Sequence, residues 1–281
     1  MKPNSVFLTA CLVVVGCNTQ DPSTPPEALH RSASGIAGAA MQTDAVAVAV
    51  KYGFPLSDPA TVRAPSPTSR AVTGGSESFV LFPGTGAVQG WSTNDAPQAV
   101  AARPSSLEEH DRAAIQYFAS KAGLVMSEVG EVIHFAGYRG SADVGGPRQP
   151  DQLIGFSTSL VRRIGGFDVV DSIASVELNA RGGPVNLSVH WPAPDAQVLS
   201  GAAQLKQIVD GGWLPSTNKR IGPIKSVRVV LHHSLADSAE LHWSTTIRVD
   251  YDVQRGTYQE FDANGNLVNP YKFGPVPTSS K

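Results

Sequence analysis

Leu160-Val161-Arg162-Arg163-Ile164-Gly165-Gly166-Phe167-Asp168-Val169-Val170 is the stretch that sets the architecture. Two runs rich in apolar and β-branched residues flank a Gly-Gly pair. Glycine reaches positive φ without steric cost, so the pair reads as a tight turn between two strands. Working outward, the first run extends back to 153. The second runs from 167 to 170 and resumes from 172 to 178. A turn over 179–183 leads into a further run, 185–191. Glu131-Val132-Ile133-His134-Phe135-Ala136-Gly137-Tyr138 supplies an upstream strand with partial alternation, separated by a Gly/Pro loop over 140–150. Short runs divided by tight turns predict an antiparallel meander.

The helices bracket this meander. Ser106 followed by Glu109 fits a capping box, in which the hydroxyl accepts an orphan amide at the helix start. Ala113, Ala114, Tyr117, Phe118 and Ala122 then recur at helical spacing, and Gly123 supplies a stop, which predicts a helix over 107–122. Pro192-Ala193-Pro194-Asp195 reads as a boundary. Beyond it the pattern restarts, with a helix over 200–209 and strands over 224–232, 241–253, 257–261 and 267–271. Asn264-Gly265 marks a hairpin turn. The turn sequences Asn179-Ala180-Arg181-Gly182-Gly183 and Asp262-Ala263-Asn264-Gly265-Asn266 are alike. The expected fold class is therefore α+β, with two related helix-plus-antiparallel-sheet modules at 105–193 and 195–273. A tail follows at 274–281. Residues 35–104 give short strands at 45–50 and 79–82 among Pro/Ser-rich loop and linker, chiefly 55–75 and 95–106.

The segment Arg162 to Ser172, followed by Val176-Glu177-Leu178-Asn179-Ala180-Arg181-Gly182, resembles the PepSY and FTP modules. These occur in the propeptides of thermolysin-like proteases and in other exported bacterial proteins. Asp262-Ala263-Asn264-Gly265 is similar to the closing hairpin of a PepSY module. The resemblance implies a cystatin-like helix packed on an antiparallel sheet. It also implies inhibitor-like or chaperone-like binding of a protein, such as a protease. Gly165 stands where Asn is more usual, and Gly183 is an extra glycine.

The N-terminus bears on location. Lys2 precedes about eleven mostly apolar residues, the layout of a secretory signal over 1–16. The run is shorter than the roughly 20 apolar residues of a membrane span. Val14-Val15-Gly16-Cys17 resembles the lipobox of bacterial lipoproteins, which implies cleavage before Cys17 and its acylation, with palmitate as a typical chain. Cys11 has too short an apolar run before it to serve instead. Residues 17–34, polar and Pro-rich, read as a disordered tether. Membrane attachment through lipid on Cys17, in the bacterial cell envelope, is the expected location. Asn18 favours the outer membrane, on its periplasmic or surface face, by the sorting pattern of the lipoproteins it resembles.

Composition narrows the function. The formal net charge is −2 and no basic block occurs, so nucleic acid has no electrostatic footprint. The two cysteines both lie in the signal region, leaving no cysteine nucleophile or Cys metal ligand beyond residue 17. No His-Glu-x-x-His motif exists. The histidine cluster is His232, His233 and His242; a hairpin would set His232 opposite His242, and with Glu240 these are the candidate ligands of a Zn²⁺ site in a metal-binding protein or metal-dependent hydrolase. The bland alternative, strand histidines without a metal, is preferred. His134 and His190 read as packing residues. Gly155-Phe156-Ser157-Thr158-Ser159 lacks the final Gly of a nucleophile elbow. Gly84 to Gly90 has loose nucleotide-loop spacing but no following helix. The Asp262 loop places its Gly wrongly for an EF-hand. Trp91, Trp191, Trp213 and Trp243 read as core more than as a binding face. The expectation is a non-enzymatic envelope lipoprotein, with no catalytic residue and no cofactor, that binds a protein or peptide partner.

Overall fold

The computed structural model describes residues 45–54, 56, 60–92, 106–139, 152–253 and 257–269. Cys17, the tether, the 140–150 loop, most of the 95–106 linker and the C-terminal tail lie outside them. Residues 45–51 form helix α1. Strands β1 (Thr61–Ser66), β2 (Ser69–Gly74), β3 (Glu77–Phe82) and β4 (Ala87–Ser92) follow. Helix α2 (Leu107–Tyr117) runs on into a π turn, Phe118–Ala122, and a 3₁₀ turn, Met126–Glu128, precedes β5 (Val129–Arg139). Then come β6 (Gln152–Ile164), β7 (Phe167–Leu178), β8 (Pro184–His190), α3 (Ala196–Asp210), β9 (Ile224–His233), β10 (Trp243–Tyr251) and β11 (Tyr258–Phe261).

The expectation of two helix-plus-sheet modules is corrected. The strands form one mixed sheet of eleven, ordered β1-β2-β3-β4-β8-β7-β9-β10-β11, with β6 also on β7 and β5 on β6. The reason lies in β7, read in sequence as two short runs but built as one strand of twelve residues. One edge of β7 pairs with β6. Its other edge pairs antiparallel with β8 at Ile173–Leu178 and parallel with β9 at Asp168–Val169. A strand that feeds both halves leaves no sheet edge between them. The parallel contact joins segments from either side of the Pro192–Asp195 boundary, a long-range pairing that no local pattern encodes.

The helices behave more locally. Ser106 Oγ accepts the Glu109 N–H at 3.1 Å, as the cap sequence predicts, and Gly123 ends the π turn with φ 68°. Helix α3 starts four residues earlier than its apolar spacing suggests, because Asp195 Oδ1 caps it from the Val198 N–H at 2.6 Å. Ala114 and Tyr117 of α2 and Phe118 of the π turn pack with Leu160, Ala174 and Val176, whereas Val198 and Ala202 of α3 pack with Ile164, Val169, Val229 and Leu231. Side chains alternate along a strand, so Leu160 and Ile164 share one face of β6 and both helices cover that face. The register aligns Ile133, Ser159, Ser175, Ser188 and Gln89 in one row on the other face.

Two local expectations before residue 92 also change. Residues 45–50, expected as a strand, are helical: Ala45, Ala49 and Tyr52 are buried at i, i+4 and i+7. Alternating Ala and Val satisfies either period, and alanine's helix preference wins once Phe54 seats against Phe79 with ring centroids 5.6 Å apart. The supposed loop at 55–75 contains the β1–β2 hairpin. The meander itself, the 79–82 strand and the strands expected at 224–232, 241–253 and 257–261 lie where the sequence places them. The strand expected at 267–271 is corrected: Leu267 makes only an isolated bridge to Phe261, and residues 270–271 lie outside the described residues.

Candidate functional site

The pairing of β6 with β7 jumps between Leu160↔Ala174 and Arg162↔Val169. Over this step β6 advances two residues and β7 five, so three extra β7 residues bulge out. Bulges free side chains and backbone from the ladder and re-aim them. This one lies where β7 changes partner from β8 to β9, and Arg162, Asp171 and Ser172 collect there.

Arg162 is 2% exposed, the largest fully buried side chain among the described residues. Its Nε–H and Nη2–H donate to Glu128 Oε2 at 2.9 and 2.6 Å, and Nη1–H groups reach Ser172 Oγ at 3.3 Å and the Pro192 carbonyl at 2.7 Å. The guanidinium lies 4.8 Å from the Trp191 ring centroid and 5.9 Å from that of Trp243. An unpaired buried cation would cost several kcal/mol, on the order of the whole stability of a domain; here ionic, hydrogen-bonding and π contacts offset that cost. Burial pulls the Arg162 pKa down, and the Glu128 hydrogen bonds and charge oppose the change. The alternation Thr158, Leu160, Arg162, Ile164 already places Arg162 in the buried phase of β6. That signal in the sequence was sufficient to find it.

Behind Arg162 lie two histidines with lowered pKa values, His233 and His190, while that of the neighbouring His232, on the opposite face of β9, is raised. His233 Nδ1 faces the Ser234 carbonyl at 3.0 Å, so it carries the proton; Nε2 then accepts from the Ser172 hydroxyl at 3.1 Å. Burial lowers its pKa. His190 sits edge-on to His233 with centroids 4.2 Å apart, and its pKa falls to about 4 through burial and the neighbouring ring. His232 points the other way, since consecutive strand residues face opposite sides. Its Nδ1 lies 2.9 Å from Asp171 Oδ2 and its Nε2 2.7 Å from Glu260 Oε2. Burial disfavours the charge, but hydrogen bonds and charges from Asp171 and Glu260 outweigh it and raise the pKa to about 9. His232 is thus an imidazolium bridging β7 and β11.

The candidate metal ligands are not brought together. His232 pairs with Ser244 and His233 with Trp243. His242 lies beyond the paired strands, with a half-exposed side chain 3.5 Å from Glu240. Among the described residues no group of three His, Cys, Asp or Glu side chains is placed to hold a metal. His190 packs as expected. His134 does not: its side chain is half-exposed, 3.3 Å from Asp111. His110, not singled out in the sequence, is fully buried and accepts the Leu178 N–H at 3.0 Å while meeting Thr158 Oγ1 at 2.9 Å. Ser157 lies mid-strand on β6, 3.4 Å from the Ser175 hydroxyl. Gly84 lies in the β3–β4 turn, which docks on the β9–β10 loop through Thr85 Oγ1 and the Ala236 carbonyl at 2.7 Å. The tryptophans are scattered: Trp91 is exposed, Trp213 packs on Phe261, and Trp191 and Trp243 flank Arg162.

A cleft and a strand edge stand open among the described residues. A cleft of about 400 Å³ lies over the Arg162–Glu128 pair, walled by Tyr52, the Thr85-Gly86 turn, the loop after α2 and the segment from Trp191 to Pro194. At the sheet margin, β5 pairs with β6 alone among the described strands. Phe135 and Tyr138 on it are 56% and 62% exposed. Comparison with protein-family models, curated proteins and solved structures yields no match to this chain.

Proposed function

We propose that this protein is a lipid-anchored component of the bacterial envelope that binds an extended segment of a partner protein along β5. The anchoring rests on Val14-Val15-Gly16-Cys17 and the signal-like run before it. The binding rests on one observation, the character of the β5 edge. A strand edge offers a row of backbone donors and acceptors, and proteins blunt edges that must stay unpaired. The β1 edge carries Arg63 and Pro65. The β11 edge is four residues long and is met by the returning chain, with a Phe261↔Leu267 bridge and the Val268 N–H on the Glu260 carbonyl at 3.0 Å. The β5 edge is eleven residues long, has no proline and displays two aromatic rings. An added strand would gain backbone hydrogen bonds from the edge and side-chain contacts from Phe135 and Tyr138.

The partner class is an envelope protein or a protease, as the sequence resemblance implies. Labelled palmitate should enter the wild type and not Cys17→Ala; its persistence in the variant would sink the anchoring. For the binding, a photocrosslinker at position 135 should join the partner through one extended peptide. That peptide, synthesised alone, should bind Phe135→Lys at least tenfold more weakly than wild type, about 1.4 kcal/mol. Equal binding to both would remove the β5 reading.

A further inference from the structure

The cleft over Arg162 holds a polar handle that no hydrogen bond among the described residues uses. Glu128 Oε2 is crowded, accepting Arg162 Nε–H, Arg162 Nη2–H and, at 3.3 Å, the Trp191 indole N–H. Oε1 takes none of these bonds. The Glu128 side chain is 19% exposed and lines the cleft. Around it stand Tyr52, Leu124, Val125, Val189, Trp191 and Pro194, an apolar and aromatic wall. The volume, about 400 Å³, falls in the range of small-molecule sites, roughly 300–1,000 Å³.

Charge decides the class of ligand. The floor is an ion pair at 2.6 Å and is therefore neutral as a unit. An anion entering the cleft would face the Glu128 carboxylate, and a cation would face the Arg162 guanidinium. Either would give up its hydration for a counter-charge whose field the other member of the pair, 2.6 Å away, largely cancels. An uncharged N–H donor loses little on desolvation and gains a hydrogen bond to a carboxylate, stronger than one to a neutral acceptor. We propose that this cleft is a binding site for a small uncharged carboxamide on an apolar or aromatic body, its N–H donating to Glu128 Oε1 and its body lying against Trp191 and Leu124. The site is separate from the β5 surface: Phe135 is seven residues beyond Glu128, roughly 24 Å along an extended strand.

The test uses the full chain in detergent, labelled with ¹⁵N at its four tryptophans. Benzamide, benzoate and benzylamine are the probes, matched in shape and differing in charge. Benzamide should shift the Trp191 indole signal saturably with Kd of about 1–10 mM, as suits a fragment of this size. Benzoate and benzylamine should bind at least tenfold more weakly. Leu124→Trp fills the cleft from a half-buried loop position, so it should abolish the shift, and circular dichroism should show the variant still folded. Glu128→Gln, if it folds, should weaken benzamide about tenfold. The proposal is overturned by no saturable shift up to about ten times the expected Kd, by equal response to all three probes, or by an unaltered response in Leu124→Trp. Phe135→Lys should leave benzamide binding intact, which separates failure here from failure of the β5 reading.

Discussion

At the scale of single residues, the seam between the two halves of the sheet is held by charges kept out of water. Removing one partner of a buried pair leaves the other stranded. Arg162→Met should therefore cost about 3 kcal/mol, and Glu128→Leu a similar amount, whereas the double variant should recover most of the loss. Urea unfolding of the four proteins checks this; additive losses would show that the pair is not coupled. The histidines give a second prediction. His232 has its folded pKa raised to about 9, so its contribution is complete below its unfolded pKa and is lost as pH climbs through 9. The bridge is worth up to about 3 kcal/mol by that linkage. His190, lowered to about 4, acts in the opposite sense: the unfolded chain takes up its proton first, so stability falls as pH drops from about 6.5 toward 4. Stability should peak near neutral pH, and His232→Gln should flatten the alkaline limb of the unfolding-temperature profile. Arg162 was legible from the two-residue period of β6. Its partner Glu128 was not, because a residue in a 3₁₀ turn 34 positions upstream meets it only after the chain folds.

At the scale of elements, the two hairpin loops that look alike in sequence are alike in geometry. In each the first residue's N–H bonds the fifth residue's carbonyl, at 2.9 Å from Asn179 and 3.0 Å from Asp262. In each the first side chain accepts the N–H groups of the third and fifth residues, through Asn179 Oδ1 and Asp262 Oδ1. Each carries its fourth residue at positive φ, Gly182 at 74° and Gly265 at 77°. A Cβ at Gly182 meets no atom within 4 Å, and at Gly265 only Trp213 at 3.8 Å, so alanine there acts through backbone strain alone. Gly182→Ala and Gly265→Ala should each cost roughly 1 kcal/mol, a fall of about 2–4 °C in Tm, and should match each other closely. A cost at one site only, measured by thermal unfolding, would refute the equivalence. These loops and the α2 cap were readable because each is decided within five residues. The β7 bulge was not: the break between 170 and 172 showed in sequence as an end of strand, and only partners β8 and β9 make it a bend within one strand.

At the scale of the whole molecule, the continuous sheet predicts a single unfolding transition. Ile164 and Val169, on the β6–β7 hairpin, belong to the same buried cluster as Val198, Val229 and Leu231. Residues 105–193 expressed alone would expose that cluster and the end of β7 that pairs with β9, so they should not fold. Calorimetry of the protein should show one cooperative peak, and Val229→Ala, costing about 1–3 kcal/mol, should lower that peak as a whole. Two separable transitions, or a folded 105–193 fragment, would restore independent modules. The local features were readable in the chain: α2 and its cap, the Gly165-Gly166 turn, the paired loops and the alternating strands. Their signals are short-range, set by φ preferences, capping hydrogen bonds and the two-residue period. Long-range contacts alone make the sheet one, make α1 a helix, and join Arg162, Glu128, Ser172 and His233 into a single hydrogen-bonded chain. Those outcomes depend on which distant strand supplies the next row of backbone hydrogen bonds and which buried charge finds its partner. Such contacts gain free energy only after loop closure and so leave no periodic trace in the chain.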